Sequence, residues 1–336
     1  MILVTGGTGM VGAHLLLRLT QSGHSVRAIY RSEKSLEKTR KVFSYVGKDA
    51  DLLFSKIDWV AANITDIPSL ESAFEGVEKV YHIAALVSFD ERLAKQMRSV
   101  NIDGTANVVN LSIAHGVSKF CFVSSIASIA KSVEKSFIDE EDDFNLMTNN
   151  YSYAITKYGA EMEVWRGAQV GLKVLIVNPG VILGTGFWKE NSGLLFSMID
   201  KGTPFYTEGV TGFVGVNDVV SVMVKGMESD ISNERFILVS ENIGFKEVFH
   251  QIADALQKKK PRVKLNVILA EIGWRLSLVK SIITGKTNSF TRHAAKSANN
   301  KSYYNSEKVQ KMLSFEFQSI AKVIEETADQ YKKDTI

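Results

Sequence analysis

The chain has 336 residues, 45% hydrophobic and 23% charged, which is the balance of a soluble globule with room for one large or two unequal domains. A net charge of +3 is too mild to argue for a nucleic-acid partner, and the longest basic run is "KKK" at Lys258 to Lys260. The lone cysteine, Cys121, excludes an internal disulfide and fits a reducing, cytoplasmic compartment.

Read from its start, the chain shows no basic leader, and a strand-like run begins at Ile2. Short apolar runs then alternate with helix-length segments. "MILVTG" leads to "MVGAHLLLRLTQSG", "SVRAIYR" to a Lys-rich stretch, and "IDWVAANI" to "IPSLESAFEG". "KVYHIAAL" leads to "SVNIDGTANVVNLSIAHG", "KFCFVSS" to "YSYAITKYGAEMEVWRGAQVG", and "KVLIVNPG" follows. Strand–helix alternation with near-continuous apolar strands predicts a parallel sheet covered on both faces. Beyond about Gly180 helical patterns dominate, around the strand-like runs "GFVGV" and "RFILVS". The expected fold is α/β: a Rossmann doubly wound parallel sheet with a smaller, mostly helical C-terminal lobe. Residues 1–178 form its nucleotide-binding domain, with a return at about 213–240; residues 179–212 and 241–336 form the substrate lobe. "LNVILAEIGWRLSLVKSIITG" is interrupted by Glu271, Arg275 and Lys280, so it predicts an amphipathic helix over that lobe rather than a membrane span.

"VTGGTGMVGAHLL" places Gly6, Gly9 and Gly12 at three-residue intervals between a strand and a helix. Gly6 permits a tight turn, Gly9 lets backbone approach a pyrophosphate, and Gly12 lets the helix pack close to the sheet. The helix N-terminus then offers its free N–H groups to the phosphates. The next strand ends on Arg31, where an NAD binder usually has Asp or Glu. A guanidinium suits a 2′-phosphate in charge and in geometry, which favours NADP over NAD.

"YAITK" puts Tyr153 four residues before Lys157, on one helix face. An ammonium beside a phenol favours the phenolate, giving a proton donor and acceptor usable near neutral pH. A third group must hold the substrate oxygen, and the strand before this helix ends on Ser124 and Ser125. His82 reads as a satisfied histidine at a strand end. His14, His24, His115, His250 and His293 show no metal spacing, and no metal is expected. Asp139 to Asp143 form an acidic run that reads as a solvated loop.

"TGGTGMVG", "NITD", "HIAA", "VNIDGT", "FVSSIAS", "YAITK", "NPGVILG", "FVGVNDVV" and "YYNSEKVQKML" follow one another along nearly the whole chain. In that order they resemble the extended short-chain dehydrogenase/reductases, the NAD(P)-dependent epimerase/dehydratase superfamily. The resemblance implies that Thr8, Gly9, Met10 and Val11 face the pyrophosphate and that Asn63 and Ile64 flank adenine, Asn63 standing where the family often has Asp. It implies that Ile83, Ala84 and Ala85 line the nucleotide's path and that Asn101 holds the local backbone. It selects Ser125 over Ser124 to complete a Ser125–Tyr153–Lys157 triad, with Lys157 also below the cofactor ribose. Pro179, Gly180 and Val181 are expected beside the nicotinamide.

Within the superfamily, dehydratases follow the serine or threonine position with an Asp–Glu pair; here Ile126 and Ala127 follow Ser125. Sugar-nucleotide epimerases often carry a diphosphate-gripping Arg where this chain has Thr211 and Gly212. With Arg31, these departures favour an NADP-dependent reductase of an aldehyde or ketone, similar to dihydroflavonol reductases. An NAD-dependent sugar-nucleotide epimerase and a non-catalytic NADP-binding regulator are the alternatives. Phe89, Phe187, Trp188, Phe205 and Tyr206 are expected to line the pocket for a small carbonyl or alcohol substrate. A homodimer through two long helices per subunit is a further implication of the resemblance.

Overall fold

The computed structural model describes residues 1–130, 136–147, 151–265 and 299–335. The expected amphipathic helix and His293 lie, apart from Leu265, outside the described residues. The main sheet has seven parallel strands in the order β3-β2-β1-β4-β5-β6-β10. They are β1 (Ile2–Thr5), β2 (Val26–Tyr30), β3 (Ile57–Ala61), β4 (Lys79–His82), β5 (Lys119–Val123), β6 (Val174–Pro179) and β10 (Glu234–Leu238). The order reverses between β1 and β4, the place where a doubly wound sheet opens a crevice at its C-terminal edge.

The helices of the first half are α1 (Met10–Gln21), α2 (Leu36–Phe43), α3 (Ala50–Ser55), α4 (Ile67–Ser72), α5 (Ala94–Arg98), α6 (Gly104–Ala114) and α7 (Ser152–Gln169). Strand residues alternate between the two cores. Val4, Ala28, Tyr81, Cys121, Leu175 and Val177 pack with α1 and with α9 (Val216–Glu228). Leu3, Ile29, Val80, Phe120, Phe122, Val174 and Ile176 pack with α6 and α7. Both faces are thus covered, which is why these strands read as continuous apolar runs.

Beyond β6 the chain forms β7 (Val181–Leu183), α8 (Gly193–Asp200), β8 (Phe205–Tyr206), β9 (Val210–Gly215), β11 (Glu241–Gly244), α10 (Phe245–Ala255), β12 (Val263–Lys264), α11 (Glu307–Leu313) and α12 (Ile320–Thr335). Of the two expected strands, "RFILVS" becomes β10 and joins the main sheet beside β6. "GFVGV" contributes to β9, which pairs with β7 and β11 in a separate small sheet. A third core, around Phe196, Phe213, Ile252, Ile324 and Tyr331, holds α8, α10 and α12 together. Asp334 near the chain end ties this lobe to the first: its carboxylate accepts from Tyr45 Oη at 2.6 Å and Trp188 Nε1 at 2.8 Å, and pairs with Lys41 Nζ at 2.9 Å. Among the described residues no helix is long and apolar enough to cross a membrane.

Candidate active site

The loop after β1 turns at Gly6, whose φ of +74° is a left-handed conformation that other residues rarely hold. A side chain there would also meet the backbone of Ala84 at 2.6 Å, so the loop lies directly against the end of β4. At Gly12 a Cβ would stand 2.1 Å from the Gly6 carbonyl oxygen, which fixes α1 close against the turn. Gly9 differs: it is exposed, and a Cβ there would have only Gly6 O near it, at 3.5 Å. Gly9 precedes α1 without a side-chain cap, so the first N–H groups of a twelve-residue helix open onto that space. A bare helix end with an uncluttered approach fits a dinucleotide pyrophosphate. Thr8 is half-buried, and Met10 and Val11 are each 8% exposed.

Arg31 lies just past β2 and is exposed. Ile83, Ala84 and Ala85 follow β4, half-buried beside Gly6. Pro179 ends β6; Gly180 and Val181 turn the chain into β7, with Gly180 packed against the Gly212 carbonyl. Asn63 caps its own loop by accepting from the Thr65 N–H at 3.3 Å. Ile64 sits in the core below Gly104 at 4% exposure, and its carbonyl accepts from Asn107 Nδ2 at 2.9 Å. Asn101, buried in a π-helical turn (Ser99–Asp103), clasps Leu86. Its Oδ1 accepts from Leu86 N at 2.7 Å, and its Nδ2 donates to Leu86 O at 3.0 Å and to Thr156 Oγ1 at 3.1 Å.

At the end of β5 the two serines point to different partners. Ser124 Oγ is buried and donates to Glu161 at 2.6 Å. Ser125 Oγ accepts from the Ala127 N–H at 3.1 Å and faces the Tyr153 hydroxyl. Tyr153 opens α7 and keeps part of its surface accessible, yet enough protein surrounds its hydroxyl that burial raises the phenol above its ordinary range; the Ser125 hydroxyl pulls the other way. Lys157, one turn on, is 2% exposed. Its Nζ donates to the Val123 carbonyl at 2.7 Å and lies 4.5 Å from the Phe122 ring centroid. Burial lowers this ammonium to about 7, opposed by the charge of Glu161.

The expected depressed phenol is therefore corrected. The ammonium is turned toward the end of β5, and desolvation outweighs the one favourable neighbour of Tyr153. A second correction concerns the acidic run. Glu140 and Asp142 are buried at 8% and 4% exposure. Glu140 Oε1 accepts from Ile237 N at 2.8 Å, and Arg235 donates to the carbonyls of Glu140 and Asp142. That loop is docked on β10, not solvated.

His82 is buried between two hydroxyls, with Nδ1 2.7 Å from Thr5 Oγ1 and Nε2 2.9 Å from Thr105 Oγ1. Burial first, and then the Lys157 charge, lower it to about 3, so it stays neutral near pH 7. Of the expected pocket residues, Phe89 stands by Tyr153 with ring centroids 6.4 Å apart and stacks on Tyr151 at 5.8 Å. Phe187 is core, Trp188 packs on Phe196 and Tyr331, and Phe205 is exposed on β8. Tyr151, Glu161 and Asn178 adjoin the site and were not read from the sequence. Glu161 had a signal, since it follows Lys157 by four residues on the same helix face.

Residues 2–238 match the NAD dependent epimerase/dehydratase family. The chain is similar to tetraketide alpha-pyrone reductase 2 of Arabidopsis thaliana, at 29% identity over 73% of this chain and 79% of that protein. It is also similar to UDP-glucose 4-epimerase of Vibrio cholerae, at 27% identity over 76% of each. Among solved structures, UDP-glucose 4-epimerase of Thermotoga maritima with UDP-glucose superposes with a TM-score of 0.79 at 22% identity, over 100% of this chain and 99% of that one, which speaks for the fold. The glycine turn under a bare helix end, at the reversal of a seven-stranded parallel sheet, agrees with a family match over most of the chain: the protein belongs to the NAD-dependent epimerase/dehydratase family of extended short-chain dehydrogenase/reductases and is an NAD(P)-dependent oxidoreductase.

Proposed function

We propose that the protein is an NADP-dependent reductase of an aldehyde or ketone, able to oxidise the matching alcohol, working through Ser125, Tyr153 and Lys157. The observation that carries this reading is the meeting of the Ser125 hydroxyl and the Tyr153 phenol at the sheet edge, with Lys157 one turn behind. Ile126 and Ala127, next to Ser125, offer no acid or base for dehydration. The bound nicotinamide would supply a hydride. The chain does the rest. Ser125 and Tyr153 donate to the carbonyl oxygen as negative charge develops on it, the electrostatic contribution expected to be largest. Tyr153, a neutral phenol at pH 7, gives its proton to that oxygen. Lys157 brings a positive charge close to the phenolate left behind. Phe89 and Tyr151 give the substrate an aromatic wall beside Tyr153.

Arg31, exposed at the end of β2, supports NADP. The division into a nucleotide-binding domain (1–178, with the return at 213–240) and a substrate lobe belongs to the same reading, as does a reducing, cytoplasmic setting. Homodimer formation through α6 and α7 is supported by Ile113 and Met162, apolar side chains exposed on those helices.

A second reading, NAD-dependent sugar-nucleotide epimerisation, is favoured by the similarity to a UDP-glucose 4-epimerase. The packing at Gly212 speaks against it. A Cβ there would meet the Val239 side chain at 2.4 Å, so a larger residue at that position would require Val239 to shift. The test is turnover of NADPH with a panel of aldehydes and ketones. Tyr153→Phe should keep NADPH affinity and lower the rate by roughly 10²–10⁴-fold. Near-normal turnover in that variant would remove Tyr153 from the chemistry. Interconversion of a UDP-sugar by protein with retained NAD, and no net oxidation, would establish the second reading instead.

A further inference from the structure

Behind the triad lies a buried polar cluster that the proposed mechanism does not use. Its centre is Glu161, 0% exposed, one turn after Lys157 on α7. Oε2 of Glu161 is approached by Ser124 Oγ at 2.6 Å, Ser128 Oγ at 2.9 Å and Asn178 Nδ2 at 3.0 Å. Oε1 accepts from Arg235 of β10 at 3.1 Å. Two of these partners also reach the main chain of Ser125: Ser128 Oγ lies 2.8 Å from the Ser125 carbonyl oxygen, and Asn178 Nδ2 lies 3.1 Å from it. The carboxylate thus shares Asn178 Nδ2 and the single Ser128 hydroxyl proton with the Ser125 carbonyl, which also accepts from the Ser128 N–H at 3.1 Å, and it is linked through α7 to the segment carrying Tyr153 and Lys157.

Burying a carboxylate is costly unless it is paired and hydrogen-bonded, and this one is both. Arg235 is itself locked by the carbonyls of Glu140 and Asp142, which explains why the acidic loop docks instead of remaining in solvent. Lys157 and Glu161 make no direct ion pair, so their coupling is through space across one helical turn. Buried away from solvent, such a coupling is screened less by salt than it would be at the surface.

We propose that Glu161 is a positioning residue for the reaction: its buried carboxylate fixes Ser125 through Ser128 and Asn178, and supplies the countercharge to the Lys157 ammonium. The inference rests on the Ser125–Tyr153–Lys157 reading. The ionisable groups that interact with the Lys157 charge are Glu161 on its own helix and His82 on β4, with Tyr153 one turn back on α7; Arg235 of β10 faces Glu161 from the far side, and Glu140 of the loop lies beyond it. His82, lowered to about 3, and the raised Tyr153 stay neutral between pH 5 and 9. The titration of Lys157 over that range thus reports on Glu161.

The experiment is a ¹³Cε-lysine NMR titration of the full chain without added nucleotide. The Lys157 signal is identified by its loss in Lys157→Met. In the unaltered protein its midpoint should fall near 7. Glu161→Gln keeps the shape and removes the charge, and should move the midpoint down by about one pH unit or more. Glu161→Asp keeps the charge and should bring it back toward the original value. If Glu161→Gln does not fold, Arg235→Met carries the test with the opposite sign, since it frees the Glu161 charge and should raise the midpoint. An unmoved midpoint in whichever variant folds overturns the countercharge role. Turnover measured at pH 6 tests the other half. Ser128→Ala should lower kcat by about 3–10-fold, one lost hydrogen bond of positioning, without moving the Lys157 midpoint. Unchanged kcat overturns the link to Ser125. The NMR midpoint needs no substrate, so it stands or falls separately from the reductase reading, which Tyr153→Phe tests.

Discussion

Replacing Lys157 by Met should stabilise the nucleotide-free protein, and the gain should depend on pH in a defined direction. The ammonium is 2% exposed and has one conventional acceptor, the Val123 carbonyl at 2.7 Å, although it has three protons to donate. Burial takes it from an ordinary 10.5 to about 7. At about 1.4 kcal/mol per unit, holding that charge inside costs roughly 5 kcal/mol at low pH. The sign follows from proton counting. Below about pH 7 both folded and unfolded chains carry the proton, and the cost is full and constant. Between 7 and 10.5 the unfolded chain is protonated and the folded chain is not, so stability rises with pH. Met fills much of the same space, but leaves the Val123 carbonyl unpaired at a cost of about 1–3 kcal/mol. The net gain at pH 6 is then about 2–4 kcal/mol, shrinking by about 2–3 kcal/mol at pH 9. Urea unfolding of both proteins at the two pH values measures it directly. An advantage that does not change with pH, or a variant that loses stability at pH 6, would refute the reasoning.

Two further outcomes are expected. Arg31→Ala should reduce a preference for NADPH over NADH of at least about 10-fold, the worth of one charge-assisted contact of about 1.5–3 kcal/mol, to near parity in calorimetric Kd values; equal affinities in the unaltered protein would sink the NADP assignment. Asn101→Ala leaves the Leu86 N–H and carbonyl without their side-chain partners and should cost about 2–4 kcal/mol in urea unfolding, whereas a loss under about 0.5 kcal/mol would mean that water replaces the clasp.

The alternation of apolar runs with helical segments made the main sheet legible, because both faces of the sheet are covered and its strands are mostly apolar, with charges such as Asp58 and Arg235 falling on the edge strands β3 and β10. The glycine loop was legible for a steric reason: Gly6 and Gly12 sit where any side chain collides with backbone. Periodicity could not say which of the two later strands joins the main sheet, since pairing partners lie far apart in sequence. The same limit hid the buried acidic loop. Glu140 and Asp142 read as solvated until Arg235, more than ninety residues away, supplies the donors that let them go inside. The pairing of a phenol with an ammonium on "YAITK" was legible as a spacing, but its electrostatics were not, because desolvation depends on what surrounds the helix and not on the helix itself.

That last point bears on why Lys157 stands where it does. An interior ammonium with one acceptor is a poor choice for stability, and an apolar residue would serve the core better. The surroundings nevertheless keep the charge within reach of pH 7: Phe122 offers its ring face, Val123 its carbonyl, and Glu161 an opposing charge that Arg235, Ser124, Ser128 and Asn178 hold in place. Those residues come from β5 with the turn that follows it, from α7, from β6 and from β10, so four separate parts of the chain converge on one destabilising group. Structure spent on retaining a costly charge, one turn from a phenol with a raised pKa, has a chemical use in a family of hydride-transfer enzymes. A proton must leave Tyr153 for the alkoxide, and a positive charge already fixed nearby, needing no reorganisation when the phenolate forms, lowers the barrier to that transfer.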